Sequence, residues 1–123
     1  MAKILVIEDD AMVQRFLTTV LTKMKHEIVI TDNGNKAVEL AKDETIALLL
    51  TDLTLPGSLS GIDLLRSLRA ARPNCPIVVL SGYPTPEKLQ ECKTLGIKDF
   101  LTKPFEIGFL DSVIKRILST PAN

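Results

Sequence analysis

The segment Ala47-Leu48-Leu49-Leu50-Thr51-Asp52-Leu53-Thr54-Leu55-Pro56 constrains the chain more than any other. A short, unbroken apolar run closed by a turn signal reads as a strand buried on both faces, and such strands belong to parallel sheets covered by helices on either side. The run ends on a carboxylate, Asp52. In open parallel sheets, ligands bind outside the carboxyl ends of the strands, so the sequence sets an acid at the mouth of a central strand. Asp is also a frequent turn residue. The residues at the other strand ends decide between the two readings.

The rest of the chain alternates in the same way. Lys3-Ile4-Leu5-Val6-Ile7 predicts a first strand ending in Glu8-Asp9-Asp10. Val13, Phe16, Leu17, Val20, Leu21 and Met24 then recur at helical spacing, with Lys23 and Lys25 in the last turn. Glu27 to Ile30 predicts a second strand, Asp32-Asn33-Gly34 a turn, and Ala37, Leu40 and Ala41 the buried side of a weaker helix. After the third strand, Ile46 to Thr51, comes the loop Pro56-Gly57-Ser58-Leu59-Ser60-Gly61. Ser60 with Asp63 resembles a capping box, opening a helix whose Ile62, Leu65 and Leu68 face inward. Arg72-Pro73-Asn74 breaks that helix. Pro76 to Leu80 predicts a fourth strand, ending at Ser81-Gly82. Thr85-Pro86 reads as an N-cap with proline at the first helical position, and Gly96 as the C-cap. The apolar face of this fourth helix is thin (Leu89, Cys92, Leu95), which predicts the least firmly held helix of the fold. Ile97 to Thr102 predicts strand five, followed by Lys103-Pro104. Leu110, Val113, Ile114, Ile117 and Leu118 mark the last helix.

Strand and helix thus alternate five times, which calls for an α/β fold: a five-stranded, doubly wound parallel sheet between two helix layers, (βα)5. Right-handed crossovers bring every strand-to-helix loop to one edge. The length of 123 residues is that of one domain, residues 1–123, with no output domain expected after the fifth helix. Lys+Arg and Asp+Glu both number 15, and the basic residues are scattered, so charge points to neither a nucleic-acid nor a membrane partner. Cys75 and Cys92 form neither a disulfide framework nor a metal spacing. No signal peptide or membrane-length apolar run is present, and a soluble cytoplasmic protein is the expectation.

At the common edge the strand ends present Glu8, Asp9 and Asp10, then Asp52, then Ser81 and Gly82, then Lys103. Clustered acids repel one another and recruit a cation. Carboxylate oxygens without His or Cys select a hard ion, and Mg²⁺ fits best. Glu8, Asp9 and Asp52 supply three negative charges, which one Mg²⁺ and Lys103 offset. Such a balance suits an incoming phosphoryl group, with Asp52 as the nucleophile, Ser81 donating a hydrogen bond and Gly82 leaving room.

These residues stand in motifs: Ile7-Glu8-Asp9-Asp10, Leu50-Thr51-Asp52-Leu53-Thr54-Leu55-Pro56, Val79-Leu80-Ser81-Gly82 and Phe100-Leu101-Thr102-Lys103-Pro104-Phe105. In spacing and order they resemble the receiver domain of two-component response regulators, a flavodoxin-like three-layer sandwich, over essentially the whole chain. The resemblance implies that Asp52 takes phosphoryl from the phosphohistidine of a sensor histidine kinase or a histidine phosphotransfer protein, forming a 4-aspartylphosphate. It implies that Asp9 and Asp52 ligate Mg²⁺ directly, Glu8 through water and Thr54 through its main-chain carbonyl, and that the Lys103-Pro104 bond is cis. It implies a switch in which Ser81 swings toward the phosphoryl group and Phe100 turns inward. The surface of helix four, strand five and helix five, where a downstream protein binds, then changes. The loop between Pro56 and Gly61 is one residue longer than the common pattern and is similar to receivers of hybrid sensor kinases, so a stand-alone receiver and a piece of a larger protein both remain open. Thr54 and Tyr83 occupy positions that tune phosphoryl lifetime in the family.

The rival readings are weaker. A receiver-like binding module that is never phosphorylated does not need the complete set of acids, Ser81 and Lys103. An aspartyl phosphatase needs a second acid at position 54, where Thr54 stands, and no G-x-G-x-x-G or P-loop is present for a nucleotide. The expectation is therefore a signalling domain that catalyses only its own phosphoryl uptake and loss. His26 has no partner pattern and reads as a surface residue.

Overall fold

The computed structural model describes residues 1–82, 85–97 and 99–119. Five strands, β1 (Lys3–Ile7), β2 (Glu27–Thr31), β3 (Ile46–Asp52), β4 (Ile77–Ser81) and β5 (Asp99–Thr102), alternate with five helices. These are α1 (Ala11–Lys23), α2 (Gly34–Ala41), α3 (Gly61–Ala71), α4 (Pro86–Thr94) and α5 (Ile107–Ser119). All strand pairs are parallel and the order is β2-β1-β3-β4-β5. The order reverses between β1 and β3, and the crevice outside their carboxyl ends is where such sheets hold ligands.

The central strands send alternate residues to opposite faces, and each face builds its own core. Leu5, Ile7, Leu49, Ile77 and Val79 pack with Ala37, Leu64, Leu65, Leu68 and Cys92 under α2, α3 and α4. Ile4, Val6, Leu48, Leu50, Val78 and Leu80 pack with Leu17, Val20, Leu21, Leu110, Val113 and Ile114 under α1 and α5. Each fully buried aliphatic side chain contributes about 1.5–3 kcal/mol. Helix α1 buries Leu17, Val20 and Leu21, whereas α4 buries Cys92 alone, so α4 is the helix least anchored by its own side chains. Among the described residues no helix is long and apolar enough to cross a membrane.

Several local expectations are corrected. Asp52 and Ser81 are the last residues of β3 and β4 rather than the first residues beyond them. Strand β5 begins at Asp99, after a buried Ile97 that lies outside the ladder. Asn33 is not a turn residue but the N-cap of α2, its Oδ1 accepting from the Lys36 amide at 2.9 Å. Ser60 holds the N-cap position of α3 but makes no capping bond, and Asp63 pairs with Arg66 at 3.3 Å, so the capping box is not formed. In α3 the buried residues are Leu64, Leu65 and Leu68. Ile62, in the first turn, is half-buried at the border of that stripe. Thr85 caps α4 as expected, and Gly96 follows the helix at φ +73°.

Lys25 lies beyond α1 rather than in its last turn, at φ +69°. The Lys25 amide donates to the Thr22 carbonyl at 2.9 Å and the His26 amide to the Leu21 carbonyl at 3.1 Å, the two bonds of a Schellman C-cap with lysine where glycine is favoured. His26 is half-buried, and its Nδ1 accepts a hydrogen bond from the Ala2 amide at 3.0 Å, so it is not a free surface residue. Two arginines, Arg69 in α3 and Arg72 at its C-cap, bind main-chain carbonyls. Arg72 donates to Ala41, Asp43 and Ile46, and Arg69 to Leu95, Arg72, Pro73 and Cys75. They fasten the edge of the sheet opposite the acids.

Two outcomes follow. Lys25→Gly relieves the left-handed strain at some cost in unfolded-chain entropy, and should stabilise the protein by about 0.5–1 kcal/mol in thermal or urea unfolding. Burial holds the His26 pKa below its ordinary 6.5. Its contribution to stability is therefore complete above that value and is lost as pH falls through the lower folded pKa. An NMR titration should give a midpoint below 6.5, and His26→Asn should flatten the stability profile between pH 7 and pH 5.

Candidate functional site

Three strand ends deliver the acids and the amine. Glu8 follows β1 and has no solvent exposure. Asp52 ends β3 and is 8% exposed, while Asp9 is open to solvent. The polypeptide around each acid is held. The Glu8 amide donates to the Thr31 carbonyl at 3.0 Å, and the Gln14 side-chain amide donates to the Glu8 carbonyl. Thr51 Oγ1 donates to the Asp52 carbonyl at 2.8 Å.

Lys103 comes from the end of β5, its amide bonded to the Ser81 carbonyl at 2.8 Å. Its Nζ donates to Glu8 Oε2 at 2.8 Å and to Asp52 Oδ2 at 3.1 Å. The remaining oxygens are also addressed: the Asp10 amide donates to Glu8 Oε1 at 3.1 Å and the Thr54 amide to Asp52 Oδ1 at 3.2 Å. Burial pushes the Glu8 carboxyl above its usual range, against the hydrogen bond from Lys103. Burial pulls the Lys103 ammonium down, but its hydrogen bonds to Glu8 and Asp52 outweigh that and hold it above its ordinary value. The buried acid and the lysine therefore depend on each other.

Of the acids at the end of β1, Asp10 does not join the cluster. It caps α1, its Oδ1 accepting from the amides of Met12 at 2.8 Å and Val13 at 3.3 Å. An Asp set two and three residues before these amides at a helix start is the available signal for that role. Glu8, Asp9 and Asp52 do converge, each offering one oxygen within 4.8 Å of the others. Octahedral Mg²⁺ ligands at their usual bond lengths stand about 3–4 Å apart, so this all-oxygen set fits the ion with a slight contraction. Ser81 is buried at the end of β4, next to the Asp52 strand. Phe100 on β5 is half-buried against the core beneath α2, α3 and α4. The Lys103–Pro104 peptide is cis. Thr54 is exposed, and Tyr83 lies outside the described residues. Gln14 and Thr31, which hold the Glu8 backbone, carry no signal in the sequence because both bind main-chain atoms, Gln14 through its side-chain amide and Thr31 through its own carbonyl.

An apolar groove of about 500 Å³ is lined by Met12, Val13, Phe16, Gly82, Pro104 and Phe105 together with Lys103, whose amine reaches Glu8 and Asp52. The rings of Phe16 and Phe105 stand 5.7 Å apart.

Comparison with known proteins agrees with this geometry. Residues 4–115 match the family model described as response regulator receiver domain. The chain is 37% identical over 115 residues to the cell cycle transcriptional regulator CtrA of Caulobacter vibrioides, a match covering 94% of this chain and 48% of that protein. It thus spans about half the length of that relative. It is 27% identical over 121 residues to sporulation initiation phosphotransferase F of Bacillus subtilis, covering 98% of this chain and 97% of the other. Among solved structures it resembles the receiver domain of a sensor histidine kinase from Pseudomonas aeruginosa, which has a magnesium ion coordinated in its active site cleft. That likeness has a TM-score of 0.85 and 26% identity, covering 97% of this chain and 98% of that one.

The pairing of Glu8 with Lys103 can be tested without metal. Lys103→Met leaves a carboxylate buried with no countercharge and should destabilise the metal-free protein at pH 7 by about 3 kcal/mol. The loss should shrink as pH falls, because the folded state then holds the Glu8 proton more tightly than the unfolded one. Adding Glu8→Gln should recover most of it in urea unfolding.

Proposed function

The chain belongs to the response regulator receiver family, and we propose that Asp52 is its phosphoacceptor and Mg²⁺ its metal. It is a phosphoacceptor signalling domain of a two-component or phosphorelay system. In the proposed reaction an Asp52 oxygen forms a bond to phosphorus as the P–N bond of a partner's phosphohistidine breaks. The imidazole departs with the electron pair, leaving an aspartyl phosphate.

The observation that carries this reading is the single ammonium of Lys103 on both Glu8 and Asp52 at the carboxyl ends of the strands. Buried Glu8 holds the amine in place, so its charge faces the position where phosphoryl oxygens gather. The Thr54 amide on Asp52 Oδ1 fixes the rotation of the carboxylate. Asp9 and Asp52 would hold Mg²⁺ directly, with Glu8 acting through water and Thr54 through its carbonyl, and the ion would supply positive charge to offset that of the phosphoryl oxygens. Ser81, beside Asp52, then turns its hydroxyl toward the phosphoryl group. Phe100 turns inward, altering the face of α4, β5 and α5 that a downstream protein reads. The phosphohistidine partner, a sensor histidine kinase or a histidine phosphotransfer protein, docks on the apolar groove between α1 and the Pro104–Phe105 corner, which opens directly on Lys103. The weak side-chain anchoring of α4 supports a two-state role for that helix.

Intact mass after incubation with a small-molecule phosphodonor tests the reading. One phosphoryl group should add in the wild type, at least ~10-fold more slowly without Mg²⁺, and none in Asp52→Asn. A normally phosphorylated Asp52→Asn protein would remove Asp52 from the role.

A further inference from the structure

The segment after Asp52 is fastened to a part of the chain more than twenty residues away. At its root the Gly61 amide donates to the Leu53 carbonyl at 2.7 Å. At its tip two side chains act. Ser58 Oγ accepts from the Gly34 amide at 3.0 Å, and Asn35 Oδ1 accepts from the Leu59 amide at 3.1 Å. The backbones touch there: a β carbon on Gly34 would stand 1.7 Å from the Leu59 carbonyl oxygen. The same corner also holds the other acid segment. The Thr31 carbonyl accepts from the Glu8 amide at 3.0 Å, and Thr31 Oγ1 accepts from the Asn33 amide at 3.2 Å. One short stretch, residues 31–35, thus grips both the β1 end that carries Glu8 and the loop that leaves Asp52.

We propose that Asn35 and Ser58 are positioning residues of the acid site, locking the loop after Asp52 against the start of α2. The proposal rests on the reading of Glu8, Asp9, Asp52 and the Thr54 carbonyl as a metal site. Leu53 and Leu55 are buried and fix where the loop leaves the sheet. They do not fix its far limb, where Pro56 and Gly57 are exposed and Gly57 has a φ of +78°. The returning limb bears on the site through the Leu53–Thr54 peptide, whose carbonyl accepts from the Gly61 amide at 2.7 Å and whose N–H donates to Asp52 Oδ1 at 3.2 Å, and that limb is held by Ser58 and Leu59. A side chain that orients a ligand without touching the ion commonly alters metal affinity by an order of magnitude when removed.

The test compares wild type, Asn35→Ala/Ser58→Ala and Ser58→Thr, which keeps the hydroxyl. Amide hydrogen exchange is read over residues 54–59 in the metal-free proteins, and Mg²⁺ affinity by NMR shift titration, which needs no phosphorylation. In the double variant, loop exchange should accelerate roughly tenfold and the Mg²⁺ dissociation constant should rise roughly tenfold. Ser58→Thr should match the wild type in both. Faster exchange with Mg²⁺ affinity within about twofold of wild type would reduce the two bonds to a structural role, and unchanged exchange would show that there is no lock. A wild type that binds no Mg²⁺ would overturn the metal-site reading instead, and the exchange data would still judge the lock.

Discussion

The structure depends on one ammonium group held between two carboxylates. Glu8 has no access to solvent, and a lone buried carboxylate costs several kcal/mol. Lys103 is what makes that burial tolerable. The geometry is demanding, because β5 does not neighbour β3: β4 lies between them. The lysine stem must pass over the end of β4, where two small residues stand, Ser81 as the last of the strand and Gly82 just beyond it. The bond from the Lys103 amide to the Ser81 carbonyl sets the starting point of the stem. Strand order, small residues on β4 and a long cation on β5 are therefore one solution to one electrostatic problem.

The architecture and the membership of this edge were legible in the sequence because both rest on patterns that repeat. Apolar runs such as Leu48-Leu49-Leu50 ending in Asp52, and helical spacing such as Leu17, Val20 and Leu21, name elements and faces directly. The acids, Ser81 and Lys103 were found as residues at the ends of those runs. What stayed hidden depends on single hydrogen bonds between distant segments. Ser60 had the right neighbour for a capping box, yet its side chain makes no such bond, and Asn33 and Asp10 cap helices from positions that read as a turn and as part of an acid cluster. Arg69, polar on α3, and Arg72, in the break after it, carry no apolar signal, but their guanidinium groups serve carbonyls on four other segments. Counting apolar positions cannot reveal a side chain whose partners are backbone atoms.

The two edges of the sheet are held by different means. Opposite the acids, Arg69 and Arg72 bind carbonyls, and a guanidinium stays charged at any ordinary pH. Helix α4 is fastened to that edge through the bond from Arg69 to the Leu95 carbonyl, with Cys92 as its one buried side chain. Its first turn, capped by Thr85 at the acid edge, has no buried side chain among the described residues. A helix secured at one end and loose at the other has a built-in pivot, and the loose end is the one nearest the chemistry.

The contact at Gly34 has a consequence for how such a chain can change over time. Residues 34 and 59 form a steric pair across the β2–α2 corner, in which the backbone of the loop fills the volume a side chain would occupy. The span from Pro56 to Gly61 and the glycine are thus two halves of one fit. A larger residue at position 34 requires a loop that keeps its distance, and a shortened loop removes the reason for glycine. Loop length and the identity of residue 34 should therefore covary among related chains, linking an insertion to a substitution more than twenty positions away.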